Sequence, residues 1–313
     1  MDSAHQSFDP PVGLAQKIAP NLRRILAPNP SPMTFRGTNT YLLGSSDLAI
    51  IDPGPDHLTQ LRAIKVALQG TQKITHILVT HSHLDHSPLA RRLSADCGAP
   101  IFAFGRCDAG QSDRMKALIK SGYSGGGEGV DSEFIPDHTL KDGSKLTGPD
   151  WELEAIHTPG HFSNHLCFGW QEAAFTGDHI MGWASSMVSP PDGDMGDFIR
   201  SCKTLLQRNW NVFYPGHGDI VKTPNARIRD LLAHRKHRER SILAALSAEG
   251  RSIKEITKSV YHDTSEALLP AAARNVFAHL IDLCERQKAI CDDPIRFESQ
   301  FRSLTPQTKT KLI

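Results

Sequence analysis

The sequence predicts an α+β chain in which two β-sheets pack face to face with helices outside, followed by a small helical domain. Short apolar runs alternate with segments of helical spacing as far as Thr223. Beyond Thr223-Pro224 the pattern is helical only, and the charge balance reverses. From Ala226 onward there are 16 Lys and Arg against 11 Asp and Glu, leaving 19 against 23 in the rest of the chain. The expected division is therefore 1–223 and 224–313, with a proline opening the first helix of the second part.

The elements follow in order. Thr40–Leu43 and Leu48–Ile51 read as paired strands, and Ile74–Val79 and Ile101–Phe104 as two more. His57–Leu68 and Pro88–Cys97 carry their apolar residues at helical spacing. Gly122–Val130 is too glycine-rich for an element and reads as a loop beside the sheet edge. Trp151–Ile156, His165–Trp170 and Ala173–Thr176 suggest a meander, followed by a helix over Asp197–Arg208 and a strand over Val212–Tyr214. The second part opens with a helix over Ala226–Ala248, whose Arg235, Lys236, Arg238 and Arg240 form a basic face. Ser252-Ile253-Lys254-Glu255 is a capping box. Thr264–Gln287 is helical and kinks or restarts near Pro270, and Ala289–Cys291 is expected to pair with Ile295–Glu298 as a hairpin.

Composition restricts the class. A chain of 313 residues with 39% hydrophobic content can bury a sizeable core. No apolar run approaches twenty residues, so no membrane span is expected. Met1–Pro11 has neither a basic nor an apolar segment of the secretory kind. The six cysteines are scattered without a Cys-x-x-Cys pair, which suits reduced thiols and a cytoplasmic setting.

Chemistry concentrates in one stretch. Thr80-His81-Ser82-His83-Leu84-Asp85-His86 puts three imidazoles and a carboxylate directly after a buried strand. Such donors suit zinc and related first-row ions, and the alternation of the cluster could serve two neighbouring ions. Three further donors sit at the ends of strand-like runs, in turns that contain glycine. They are His161 in Thr158-Pro159-Gly160-His161, Asp178 in Phe175-Thr176-Gly177-Asp178, and His217 in Tyr214-Pro215-Gly216-His217-Gly218. The chain has 16 histidines in all, and His5, His76, His138, His157, His165, His234, His237 and His279 read as surface or packing residues. Asp52 reads as a carboxylate that orients a ligand from behind.

His-x-His-x-Asp-His, followed by His161, Asp178 and His217 and preceded by Ile51-Asp52-Pro53-Gly54, resembles the metallo-β-lactamase superfamily of hydrolases over roughly Leu22 to Thr223. The resemblance implies an αββα sandwich with its ligands along one edge. It implies one metal held by His81, His83 and His161, and a second by Asp85, His86 and His217, with Asp178 bridging. Two Zn(II) ions are expected, with manganese or iron as alternatives. The order and length of the C-terminal elements resemble the winged-helix module of the beta-lactamase-like protein 2 branch.

Two ions ~3.5–4 Å apart would share a water and lower its pKa towards ~7. The resulting hydroxide would attack an electrophilic carbonyl or phosphorus, with Asp85 and Asp178 orienting it and no covalent acyl-enzyme. His179 is the candidate acid for the leaving group. The expected reaction is hydrolysis of an ester, thioester, lactone or related acyl bond of a small molecule. Single-strand-specific RNA cleavage is the alternative that the branch resemblance implies, and a mononuclear iron dioxygenase ranks below both. Di-iron redox members typically carry Glu where this chain has His83, which argues against that branch. The basic face of the C-terminal helix could meet RNA, act as a lid, or form a homodimer contact. The loop Ser185–Asp197 and Trp183 are expected to rim the pocket.

Overall fold

The computed structural model describes residues 8–123, 129–292 and 294–304. Its first sheet has seven strands in sequence order: β1 (Gln16–Ala19), β2 (Leu22–Leu26), β3 (Asn39–Leu43), β4 (Asp47–Ile51), β5 (Lys73–Leu78), β6 (Ile101–Ala103) and β7 (His138–Thr139). The first four pair antiparallel, and β4 through β7 run parallel. Helix α1 (Leu58–Ala67) makes the crossover from β4 to β5, and α2 (Leu89–Cys97) the crossover from β5 to β6.

The second sheet has five strands: β8 (Lys145–Thr147), β9 (Glu152–His157), β10 (Leu166–Trp170), β11 (Ala173–Gly177) and β12 (Val212–Pro215). They form an antiparallel meander except for β12, which joins β11 in parallel after α4 (Met195–Leu205).

Alternation along the strands divides the core into layers. Tyr41, Leu43, Ala49 and Ile51 face Leu153, Leu166, Phe168 and Phe175 between the sheets. Leu42, Ile50 and Ile77 face outward under α1 and α2. Cys167, Ala174 and Phe213 face outward under α4 and α5 (Pro224–Ala245). The central strands are thus covered on both faces, which is why they read as continuous apolar runs.

α5 begins at Pro224, with Thr223 in the N-cap position. It leads to β13 (Arg251–Ser252), α6 (Ile253–Val260) and α7 (Leu269–Glu285), then β14 (Ala289–Cys291) and β15 (Gln300–Ser303). The Ser252–Glu255 capping box forms as expected, and α7 restarts after a single 3-10 turn with Pro270 in its first turn. α3 (Asp113–Lys120), unmarked in the sequence reading, buries Met115 and Leu118 against this C-terminal core rather than against the sandwich.

Several expectations need correction. β14 pairs with Gln300–Ser303, not with Ile295–Glu298. The intervening segment turns inward instead, packing Ile295 and Phe297 on the C-terminal core, and closes a turn from Ser299 N–H to the Arg296 carbonyl. The stretch Glu266–Glu285 is, by length and composition, apolar enough to cross a membrane, contrary to the sequence reading. Half of it is buried inside the protein, and α7 buries Val276, Phe277, Leu280 and Leu283 in the C-terminal core. The basic face of α5 is only partly a face. Arg235 is buried, and Arg238 donates to the Val260 carbonyl and lies 4.0 Å over the Tyr261 ring. His5 and residues 124–128 of the glycine-rich loop lie outside the described residues. All six cysteines are free thiols.

The two sheets are joined by polar contacts as well as by the core. Asn39 on β3 is fully buried and donates to the carbonyls of Pro215 and Gly218, while the Tyr41 hydroxyl donates to the same Pro215 carbonyl at 2.7 Å. Asn39→Ala is expected to lower the unfolding free energy by about 1–3 kcal/mol, because the Gly218 carbonyl loses its Asn39 donor and the Pro215 carbonyl loses one of its two. Urea titration followed by tryptophan fluorescence measures it, and a loss below about 0.5 kcal/mol would contradict this account.

Candidate metal centre

Every predicted donor sits just beyond the carboxyl end of a strand. His81, His83, Asp85 and His86 occupy the turn after β5, where the His86 and Ser87 amides close on the His83 carbonyl at 3.0 Å. His161 follows β9, Asp178 follows β11 and His217 follows β12. Two glycines are required here. Gly160 has φ +145°, and a Cβ on it would meet the Phe198 backbone at 2.3 Å. A Cβ on Gly216 would lie 2.5 Å from Asp178 Oδ1.

Folding brings all seven donors into two adjoining groups. His81, His83 and His161 form one; Asp85, His86, Asp178 and His217 form the other, with donor atoms inside each group no more than 4.8 Å apart. In the first, His83 Nδ1 stands 2.8 Å from His81 Nε2 and 3.2 Å from His161 Nε2. In the second, His217 Nε2 lies 3.0 Å from Asp85 Oδ2 and 3.3 Å from Asp178 Oδ2, and His86 Nε2 lies 3.4 Å from Asp178 Oδ1. Asp178 Oδ2 is also 3.8 Å from His161 Nε2, which places this carboxylate between the groups.

The far side of most rings is anchored. Asp52 Oδ2 faces His86 Nδ1 at 2.9 Å, and the same carboxylate accepts from the Thr80 amide and hydroxyl. The Thr80 hydroxyl in turn meets His81 Nδ1 at 3.0 Å. His161 Nδ1 donates to the Met187 carbonyl at 2.7 Å, and His217 Nδ1 to the Gly37 carbonyl at 3.1 Å. Each anchor fixes which ring nitrogen faces inward, and Nε2 of four histidines and Nδ1 of His83 converge on one pocket.

Electrostatics agree. Burial, aided by His161, pushes His83 down to about 3, and burial with His86 and His83 holds His81 far below the ordinary imidazole value. Burial opposes charge on His217, yet Asp178 and Asp85 raise it to about 10. Burial likewise disfavours ionised Asp85 and Asp178, but the facing imidazoles hold both well below the usual carboxylate range. One group is thus neutral lone pairs, and the other is an anionic pocket that draws positive charge. Asp178 Oδ1 is buried with no hydrogen-bond partner among the described residues. Imidazole nitrogens facing one another at such distances, beside an orphaned carboxylate oxygen, fit a pair of cations.

A cavity of about 330 Å³ opens onto His83, Asp85, His161, Asp178 and His217. The loop after Trp183 does wall it, through Met187, Ser189 and Asp192. Trp183 itself is not in the lining and stacks on Phe35 at 5.0 Å. His179 does not occupy the place expected of a leaving-group acid. It is fully buried under Phe198 and beside Cys202 Sγ, and burial pushes its pKa to about 3, so it does not face the cavity and is a neutral imidazole at neutral pH.

His165, read as a packing residue, has a more specific place. Its Nε2 accepts from the Asp178 amide at 3.2 Å and its Nδ1 meets the Thr158 hydroxyl at 2.9 Å, which fixes the turn that presents Asp178. Arg235 was also missed. From α5 it donates to the Ser186 carbonyl and to Asn275 Oδ1 on α7, and the Ser186 hydroxyl donates to the Asp178 carbonyl. Met187, which anchors His161, is the next residue. No signal in the sequence distinguishes Arg235 from its exposed neighbours.

Strand-end histidines and aspartates paired in two groups, on the edge of a two-sheet sandwich and under an open cavity, define a metal-dependent hydrolase of the sandwich type. The chain belongs to the metallo-beta-lactamase superfamily, whose family model matches residues 33–217. A second model, the beta-lactamase associated winged helix domain, matches residues 252–294. The chain is 32% identical over 283 residues to a beta-lactamase-like protein 2 homolog of Drosophila melanogaster, covering 85% of this chain and 89% of that protein. It is 28% identical over 274 residues to an atrochrysone carboxyl ACP thioesterase of Aspergillus chevalieri, covering 82% and 78%. In fold it is similar to a beta-lactamase domain protein from Burkholderia ambifaria, with a TM-score of 0.79 and 18% identity, covering 97% and 99%.

Two outcomes test the supporting contacts. Asp52→Asn removes the anion behind His86 and is expected to weaken metal binding about 10- to 100-fold, read by competition with a chromogenic chelator. Arg235→Ala frees the Ser186–Met187 loop and is expected to lower metal affinity about tenfold, with Arg235→Lys partly restoring it. Unchanged metal affinity in a folded Arg235→Ala protein would contradict the coupling.

Proposed function

We propose that the chain hydrolyses acyl thioesters of small molecules with two Zn(II) ions, one held by His81, His83 and His161 and the other by Asp85, His86 and His217, with Asp178 between them. The observation that carries this reading is the pairing of donors about Asp178 on the floor of a 330 Å³ cavity. Bound metal supplies Lewis acidity, lowering the pKa of water towards ~7 and offsetting negative charge that develops on the acyl oxygen. Asp85 and Asp178, both held as anions, accept hydrogen bonds from the attacking water and fix its direction. Asp52 and the Met187 and Gly37 carbonyls keep the imidazoles from rotating.

No side-chain nucleophile is required. No cysteine lines the cavity, and Ser189, which does, has no hydrogen-bonded base among the described residues. A thiolate is also a leaving group that needs little protonation at neutral pH, which suits a cavity from which His179 is turned away. Among acyl bonds the thioester is favoured because a relative matched over 82% of this chain is named an ACP thioesterase. The RNA alternative rests on the branch resemblance; the basic face of α5 adds little to it, since two of its four cations, Arg235 and Arg238, are engaged inside the protein.

The test is a panel of thioesters, lactones, β-lactams and RNA oligonucleotides assayed on metal-analysed protein. Thioesters are expected to give the highest kcat/KM, and Asp178→Asn to reduce it by about 100-fold or more. Faster RNA cleavage, or iron with oxygen uptake, would overturn the proposal.

A further inference from the structure

A second and larger space, about 830 Å³, lies between the end of α3, α6, the start of α7 and the turn before β15. It carries no part of the metal centre, yet the two spaces meet. Arg274 lines both; Ala271 lines the metal cavity, while Pro270 and Ala273, its neighbours on α7, line the groove. A molecule lying in the groove therefore has one end within reach of the metal cavity.

The groove has a chemical character of its own. Lys254 and Lys258 stand one turn apart on α6, both exposed, and Arg296 faces the same space. Among the described residues no ion pair engages Lys254, Lys258 or Arg296, whereas Arg274 is already engaged. Four cations meet two carboxylates, those of Glu266 and Glu298, so the groove is net positive. Ile253, Leu269, Pro270 and Ala273 give it apolar wall, and the Tyr123 and Phe297 rings lie nearly parallel at 6.2 Å. Free cations, a ring platform and a shared boundary with the metal cavity match a ligand with phosphates, a base and a flexible arm.

We infer that this groove binds the nucleotide-tailed arm of a coenzyme A thioester, with phosphates on Lys254, Lys258 and Arg296, and that the arm threads past Arg274 to present its acyl group to the metal cavity. The inference rests on the thioester reading above. The volume is that of a site for one small ligand. An acyl carrier protein would need a docking face of about 800 Å² per partner.

Two measurements test this on the metal-loaded full chain. Calorimetric titration with free coenzyme A compares wild type with the Lys254→Ala/Lys258→Ala protein. Kinetics compare an acyl coenzyme A with the same acyl group on N-acetylcysteamine, which lacks the phosphates. Wild type is expected to bind coenzyme A and to favour its thioester through a lower KM, and the double substitution to weaken both binding and preference by about tenfold. Coenzyme A that does not bind, or that binds both proteins equally, would overturn the inference. So would tighter binding of single-stranded RNA through the same lysines, or a preference for an acyl carrier protein thioester. Lysine-dependent coenzyme A binding with no turnover of either thioester would instead remove the thioester reading and leave the groove's ligand standing.

Discussion

The structure depends on a crowd of lone pairs that cannot rest against one another without positive charge. Five imidazole nitrogens and two carboxylates are brought within a few ångströms in a largely buried pocket. Burial removes the option of charging His81 and His83. The surroundings therefore act to hold the donors in place: Asp52 behind His86, backbone carbonyls behind His161 and His217, and His165 behind the Asp178 turn. Those contacts limit how far each ring can turn away from its neighbours.

The same constraint explains why the C-terminal domain is not a detachable appendage. Arg235 reaches out of α5 into the loop that holds both Asp178 and His161, and its own partner Asn275 donates to the Tyr261 hydroxyl at 3.0 Å. A second, partly buried cation, Arg114 on α3, joins Asp194 to Asp282 and Glu285 on α7. The Asp194 amide donates to the Gly160 carbonyl, one residue before His161. Two arginines thus tie the turns that carry the candidate metal donors to C-terminal helices. The helical domain also forms part of the catalytic wall through Ala271 and Arg274.

Much of this was legible in the sequence. The central strands announced themselves because both of their faces are buried, and the seven donors because each ends such a strand. The capping box and the proline opening α5 are local devices with local signatures. Less was legible where long-range packing decides. The pair β1 and β2 is short and mixed in pattern, and α3 is amphipathic towards a domain that follows it by more than a hundred residues. The second strand of the wing was misplaced because Ile295 and Phe297 look like strand residues and are instead core residues beside a turn.

The sequence alone determined the identity of the donors, their order, and their place at strand ends. Those features follow from residue type and short-range periodicity, which tertiary contacts do not alter. Only the tertiary structure decided that His83 presents Nδ1 while its partners present Nε2, that His179 turns inward, and that His165 and Arg235 hold the site. Each of those depends on which neighbour lies across a gap of many residues, and residue type carries no record of that neighbour.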